Sequence, residues 1–464
     1  MSIEPDTTDP DAAAWRSAPD ARAGAARPQA SGWRGVLARG ALWTVGGYGT
    51  GQIIRFANNL FIARLLNPEA FGLMAIVDTL SVGLHMISDT GVGPTLIHRE
   101  EAPERGLLGT AFSIQLIRGV LLWAMTALLA VPLALWYEEP LLVAILPISG
   151  LRAILDGFQS TGLYVAARNL ALRRLTLFEL GTQLVGIVFM GVWLWYSPSV
   201  WALVLGGLVT SAARGIGSHL VFRESRARPS WLREYLRELT RFGRWVFPST
   251  ILLFVILRSD RLLLGKWLSV GDLGAYNFAC FFSLTAIAVV GQVCHQVLFP
   301  HYARIGHGGP LRRAITRNRG LVFALTLPVL CGLAVFGDRL VMALYDARYQ
   351  EAGWMLRMLT CGAIFACANE AALPVLLALG DPYRRFVALL WSSVLFVASI
   401  ACGGMLAGRM GLVAGVAAAP AFAYPAVSWA LHKHGVWTGR LDGIAFCAAG
   451  ILLALLVGLR RLSE

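Results

Sequence analysis

Apolar residues run along this chain in long blocks, broken by short polar or basic turns. Thirteen blocks can be drawn, at 41–62, 71–92, 107–131, 141–165, 175–196, 199–221, 245–264, 273–299, 319–337, 353–379, 386–407, 411–431 and 441–459. Each is close to the ~20 apolar residues that carry an α-helix across the hydrocarbon core of a bilayer. Lipid offers the backbone no hydrogen-bond partner, so such segments must be helical. The pattern predicts an all-α polytopic membrane protein with 12–13 transmembrane helices.

Between the blocks, two stretches divide the chain. Residues 1–32 are rich in Ala, Pro, Asp and Arg with no apolar core, which predicts a disordered cytoplasmic tail and no cleavable leader. The basic stretch 223–244 separates a first half, 33–222, from a second, 245–432, with six blocks in each, and leaves 433–464 as a C-terminal hydrophobic segment. Within the linker Trp231, Tyr235 and Leu239 recur at helical spacing among arginines, the pattern of an amphipathic helix on the inner leaflet. A shift of 202 residues brings Arg39 onto Arg241, Trp43 onto Trp245, Leu66 onto Leu268, Gly72 onto Gly274 and Ser81 onto Ser283. Internal repeats of this kind build transporters from two halves around a central site. Six spans per half make this repeat parallel.

Net charge is +13, which in a soluble protein would suggest nucleic acid. Here the basic residues sit at the ends of the blocks and serve orientation, so no nucleic-acid partner is expected. With the N-terminus in the cytoplasm, 26 Lys and Arg fall on the cytoplasmic side and 7 on the other, as the positive-inside rule requires. Arg460 and Arg461 resist this count. Either the last block crosses against a weak signal, or it lies at the inner interface and twelve helices span. The seven cysteines all lie inside blocks, without metal-ligand spacing, and read as packing residues. His85, His295 and His301 are isolated along the chain, and no metal or cofactor is expected.

A charge at mid-membrane costs roughly 2.5–3.5 kcal/mol on insertion scales, so each calls for a partner, a cavity or a role. Arg55 lies twelve residues before the turn at Asn67 and Asp78 eleven after, which sets both some ~17 Å from that turn and predicts a pair. Arg118 and Asp156 match across the turn near Trp136, Glu179 and Arg214 across the turn near Ser197, and Arg152 is the i,i+4 neighbour of Asp156. Tyr48, Gln52, Arg55 and Asn59 form one polar stripe on the first helix, suited to a wet cavity. Arg258 and Arg261 reach nearly the same depth in the second half, Arg258 one residue from the repeat partner of Arg55. Two arginines from opposite halves would suit a diphosphate, because the planar guanidinium donates two parallel charge-assisted hydrogen bonds. Asp78, Asp89, Glu179 and Glu370 are candidates for proton or sodium coupling, and their spacing selects neither ion.

Phe61-Ile-Ala-Arg-Leu-Leu-Asn-Pro-Glu-Ala-Phe-Gly-Leu-Met-Ala-Ile-Val77, followed by Ser88-Asp-Thr-Gly-Val-Gly93 and Leu96-Ile-His-Arg-Glu100, resembles the polysaccharide-transporter family. These are Wzx-type oligosaccharide flippases, in the superfamily that includes multidrug extruders and lipid II flippases. The resemblance in layout covers about residues 36–432, the specific motif only the first two blocks. It implies two six-helix bundles in a V, a central cationic cavity and alternating access in a bacterial inner membrane. It also implies a polyprenyl-diphosphate-linked glycan as cargo, moved to the outer leaflet among membrane lipids, with polymerase and export machinery of the same pathway as partners. A cation extruder of the same fold would need acid in its cavity, whereas arginines stand at mid-depth in both halves. A membrane glycan polymerase or ligase would need a sizeable external loop, and the longest here, Asp338 to Ala352, holds no cluster of acid, histidine and nucleophile.

Overall fold

The computed structural model describes residues 30–88, 91–98, 104–169, 171–222, 228–294, 298, 301–302, 305, 309–345, 347–379 and 381–450. Most of the tail, the linker residues 223–227, Asp89, His295 and the end of the last block therefore lie outside the described residues. Helices account for nearly all of what is described, and no strand occurs among those residues. In chain order they are α1 Ala30–Leu65, α2 Pro68–Ile87, α3 Val92–His98, α4 Arg105–Tyr137, α5 Leu142–Gly157, α6 Gly162–Arg168, α7 Leu172–Tyr196 and α8 Trp201–Val221. The second half contributes α9 Arg233–Trp267, α10 Val270–Val293, α11 Gly309–Leu344, α12 Glu351–Ala378 and α13 Pro382–Lys433, before a last helical stretch at 439–450.

Among the described residues seven helices are long and apolar enough to cross a membrane, and the bent pair α5 and α6 raises this to eight. Two corrections to the drawn blocks follow. The block 141–165 is broken between α5 and α6 by a 59° bend. The block 71–92 ends its helix at Ile87, and a separate short helix begins at Val92. Helix α13 is counted once but holds two crossing limbs, parted at Ala407 and Gly408. Gly408 has φ +53, which costs a side-chain-free residue little, and the limbs then fold back on each other. At the other end of that hairpin Asp381 caps α13, accepting from the Arg384 backbone N–H at 3.0 Å with a His434 ring nitrogen at 2.8 Å. Those two contacts hold its carboxyl down to about 2.

Packing joins α1 to α7, α7 to α8, α8 to α5 and α5 to α4 in the first half, and α12 to α10, α11 and α13 in the second. Helix α2 packs chiefly against α10 and α9, so it forms the seam between the halves. At the end of the seam bearing the Asn67 and Leu268 turns, the two helices touch backbone to backbone. A Cβ on Gly72 would fall 1.9 Å from the Val270 carbonyl oxygen, and one on Gly274 equally close to that of Pro68. Phe71, Phe278 and Tyr349 pack edge to face beside this crossing, and the Tyr349 hydroxyl donates to the Leu66 carbonyl at 2.9 Å. Arg348 donates to Asn67 Oδ1 at 2.8 Å, and Lys266 to the Trp136 carbonyl at 2.7 Å. This end is sealed. The linker runs straight into α9, and before it Ser230 and Leu232 dock on α4 through Thr110 and Gly106.

Arg319 corrects the charge count. It stands at the edge of a drawn block and is one of the 26 basic residues on the cytoplasmic side of the count, yet it is wholly buried. Its guanidinium holds Asp442 at 2.7 Å and the Ala368 carbonyl at 3.2 Å, while the Tyr424 hydroxyl donates to Asp442 at 2.6 Å. The start of the last helical stretch is thereby clasped to α11, α12 and α13.

Candidate functional site

Helices α1, α2, α5, α7 and α8, with Asn277 of α10, enclose a cavity of about 660 Å³ in the first half. Its wall is polar and charged over much of its area: Arg55, Asn58 and Asn59 from α1, Asp78 from α2, Arg152 from α5, Glu179, Thr182 and Gln183 from α7, and Thr210 and Arg214 from α8. Helical spacing explains the grouping. Thr182, Gly186 and Met190 recur every four residues along α7, and Gly207, Thr210 and Arg214 share a face of α8. A stripe of that kind would be penalised against lipid, and here it faces an interior space.

The charges pair differently from the order that matched depths predict. Arg152 Nη1 lies 3.4 Å from Asp78 Oδ1, so Asp78 is paired with α5 and not with Arg55. Equal depth in a hairpin fixes height along the membrane normal but leaves the direction around each helix open. Arg118 is likewise not paired with Asp156 among the described residues. It donates to Ser88 Oγ at 2.9 Å and to the His85 carbonyl at 2.6 Å, which ties α4 to α2, while Asp156 accepts from Gln159. Glu179 and Arg214 do meet, at 3.4 Å, and the Arg214 Nε remains buried without a partner. Arg55 forms no ion pair among the described residues. Its Nε donates to the Gly51 carbonyl one turn back, at 3.3 Å, and its exposed head is left to the cavity. Gln52 is half-buried and stands outside this wall, Asn59 stands in it, and the Tyr48 side chain lies outside the described residues.

In the second half the expected arginines are placed otherwise. Arg261 is buried, 4% exposed, and is held by Asp260 at 3.2 Å and by Asn277 Oδ1 at 3.2 Å. Its hydrogen-bonding capacity goes into the wall between α9 and α10, so it is no open anion ligand. Arg258 is half-buried, lines neither large cavity, and lies within electrostatic reach of Asp78 across the seam. Glu370 lines a second cavity, of about 560 Å³, together with Arg385, which lies between two of the drawn blocks. Asn58, Thr182, Gln183, Thr210 and Asn277 were also missed. Their signal was the four-residue recurrence of small and polar positions inside apolar blocks.

The chain matches the polysaccharide biosynthesis protein family over residues 61–353, more than half its length. The succinoglycan biosynthesis transport protein ExoT of Rhizobium meliloti is 22% identical over 88% of this chain and 82% of its own. The lipopolysaccharide biosynthesis protein WzxC of Escherichia coli is 22% identical over 76% of this chain and 72% of its own. Among solved structures, the lipid II flippase MurJ in its inward closed conformation superposes with a TM-score of 0.64, at 11% identity, over 90% of this chain and 93% of that one. That last likeness is one of fold. A multi-pass all-α membrane protein with a flippase-like fold and a family match over residues 61–353, this chain belongs to the polysaccharide biosynthesis protein family.

Proposed function

We propose that the protein flips a polyprenyl-diphosphate-linked oligosaccharide from the inner to the outer leaflet of a bacterial cytoplasmic membrane. The observation that carries this reading is the first-half cavity, where Arg55, free of any carboxylate among the described residues, stands with the paired Arg152 and Arg214 amid amides and hydroxyls. Guanidinium groups suit the diphosphate and the amides and hydroxyls suit sugar. The names of the relatives, which speak of succinoglycan transport and lipopolysaccharide biosynthesis, support the same class of cargo. On the positive-inside orientation, the sealed Gly72–Gly274 end is the outer one, so loading occurs from the cytoplasm. Asp78 and Glu179 would be the cation ligands of a drug extruder, but each already faces an arginine.

Substitution of Arg55 tests the reading. Arg55→Lys keeps the charge and loses the fork, and is expected to retain partial transport, whereas Arg55→Ala should abolish it. Arg258→Ala, across the seam, should weaken transport further in a partially active background. Membrane insertion is checked in each case, and transport is read as disappearance of the untranslocated lipid-linked glycan. An inserted Arg55→Ala, Arg258→Ala protein that flips at the normal rate would sink the cationic-cavity mechanism.

A further inference from the structure

The two large cavities occupy repeat-equivalent places. The same 202-residue shift takes Arg55, Asn58, Met74 and Asp78, all in the wall of the first cavity, onto Leu257, Asp260, Tyr276 and Cys280, all in the wall of the second. Leucine at 257, and not Arg258, is thus the counterpart of Arg55. The chamber is duplicated, and its charges are not. Asp260, the carboxylate at this level of the second chamber, is 4% exposed, neutralised by Arg261, and accepts from the Tyr276 hydroxyl at 2.6 Å. Leu253, Leu284, Ile287 and Phe386 belong to a remaining wall that is mostly apolar, with Asn369, Glu370 and Arg385 near the end where α12 gives way to α13. Thr250 and Asp260 mark its extent on α9, ten residues or ~15 Å apart, and Leu359 and Glu370 mark a similar height on α12.

A tall apolar slot of this kind is a poor host for sugar or phosphate, because a polar group buried there without a partner costs about 1–3 kcal/mol. We propose that the second-half cavity holds a segment of the polyisoprenoid chain of the cargo, while the first-half cavity holds its diphosphate and sugar. This rests on the flippase reading and deepens it. Lipid is as apolar as leucine, so moving the chain from bilayer to slot gains little affinity. The slot's contribution is alignment: a chain seated beside α9 sets the head on the other side of the Asn277–Arg261–Asp260–Tyr276 hydrogen-bonded wall.

The experiment uses the full wild-type chain in nanodiscs, with a polyisoprenyl diphosphate bearing a benzophenone on its chain, and maps adducts by peptide mass spectrometry. Adducts are expected at Leu253–Leu257 and Phe386–Leu389, reduced at least several-fold by unlabelled polyisoprenyl diphosphate and unaffected by added saturated phospholipid. Ala366→Trp, which fills the slot, should cut the adducts about tenfold. Protection of Arg55 from phenylglyoxal by a short-chain isoprenyl diphosphate reports on the head chamber in every sample. Arg55 protection without adducts in the slot overturns this inference and leaves the flippase reading standing. Equal competition by phospholipid overturns it too, since the slot is then a resident lipid site. Loss of both signals in the wild type overturns the inference and the cationic-cavity reading together.

Discussion

Asp78 and Arg152 face each other at 3.4 Å with side chains 51% and 38% exposed to the cavity. Such a pair is worth little to stability, on the order of 0.2–1 kcal/mol when exposed. On the proposed function an arriving diphosphate would compete with Asp78 for Arg152, which would make the pair a gate on binding. Asp78→Asn should therefore be coupled to Arg152→Gln, with transport in the double variant differing from the sum of the singles by a free energy of about 0.5–3 kcal/mol. Asp78→Asn combined with Arg55→Gln should be additive. The check is a double-mutant cycle on initial flipping rates, and coupling to Arg55 with none to Arg152 would refute the assignment. The pairing was illegible in the sequence, because matching depth pointed to Arg55 as the partner of Asp78 and carried no information on direction around each helix. Glu179 with Arg214 was legible, since their helices α7 and α8 are consecutive and pack directly.

At the level of elements, the crossing of α2 and α10 decides whether the sealed end can open. Gly72 and Gly274 are repeat partners, and each sits against the other helix's first-turn carbonyls. Any Cβ at position 72 would lie 1.9 Å from the Val270 oxygen, far inside contact distance, so the helices must part to admit it. Overpacking of this kind costs about 1–3 kcal/mol. Gly72→Val is expected to shift the protein toward a state open at this end. Spin labels at the exposed Leu65 and Ser269 should then report a longer and broader distance than in the wild type. An unchanged distribution in a folded variant would show that the crossing is no barrier to opening. The repeat alignment placed both glycines in register, but that they touch each other follows only from the way the halves associate.

For the whole molecule, orientation is the property most open to direct test. The 26-to-7 distribution of basic residues predicts that the linker and the Arg173–Arg174 turn lie in the cytoplasm. Reporter fusions after Arg174, Ser230 and Gly308 should signal cytoplasm, and fusions after Glu138 and Gln350 the outside. Reversal at any two of these would overturn the orientation, and with it the assignment of the sealed end to the outer face. Moving Arg319 from loop to interior leaves that count almost unaltered, but it changes the account of the C-terminus. The clasp of Arg319 on Asp442 and Thr438 seats the last helical stretch against the second half. Removing one partner of a buried pair is costly, ~3–5 kcal/mol, since it strands the other charge.

What the sequence determined by itself was most of what depends on position along one axis. Apolar length imposes helices, because the backbone in lipid must satisfy itself. A fixed rise per residue then places Arg55, Asp78, Glu179 and Arg214 in depth, and the 202-residue shift reveals two related halves. Only the tertiary structure decided what depends on direction around each helix. One residue's difference on α9 rotates a side chain by about 100°, which turns Leu257 into a cavity and Arg258 toward the seam. Direction around the helix likewise buries Arg261 in a wall, gives Arg152 to Asp78, and leaves Arg55 without a carboxylate partner among the described residues. Such choices are settled by which helices pack together, and packing between distant segments leaves no trace in the local pattern of apolar and polar residues.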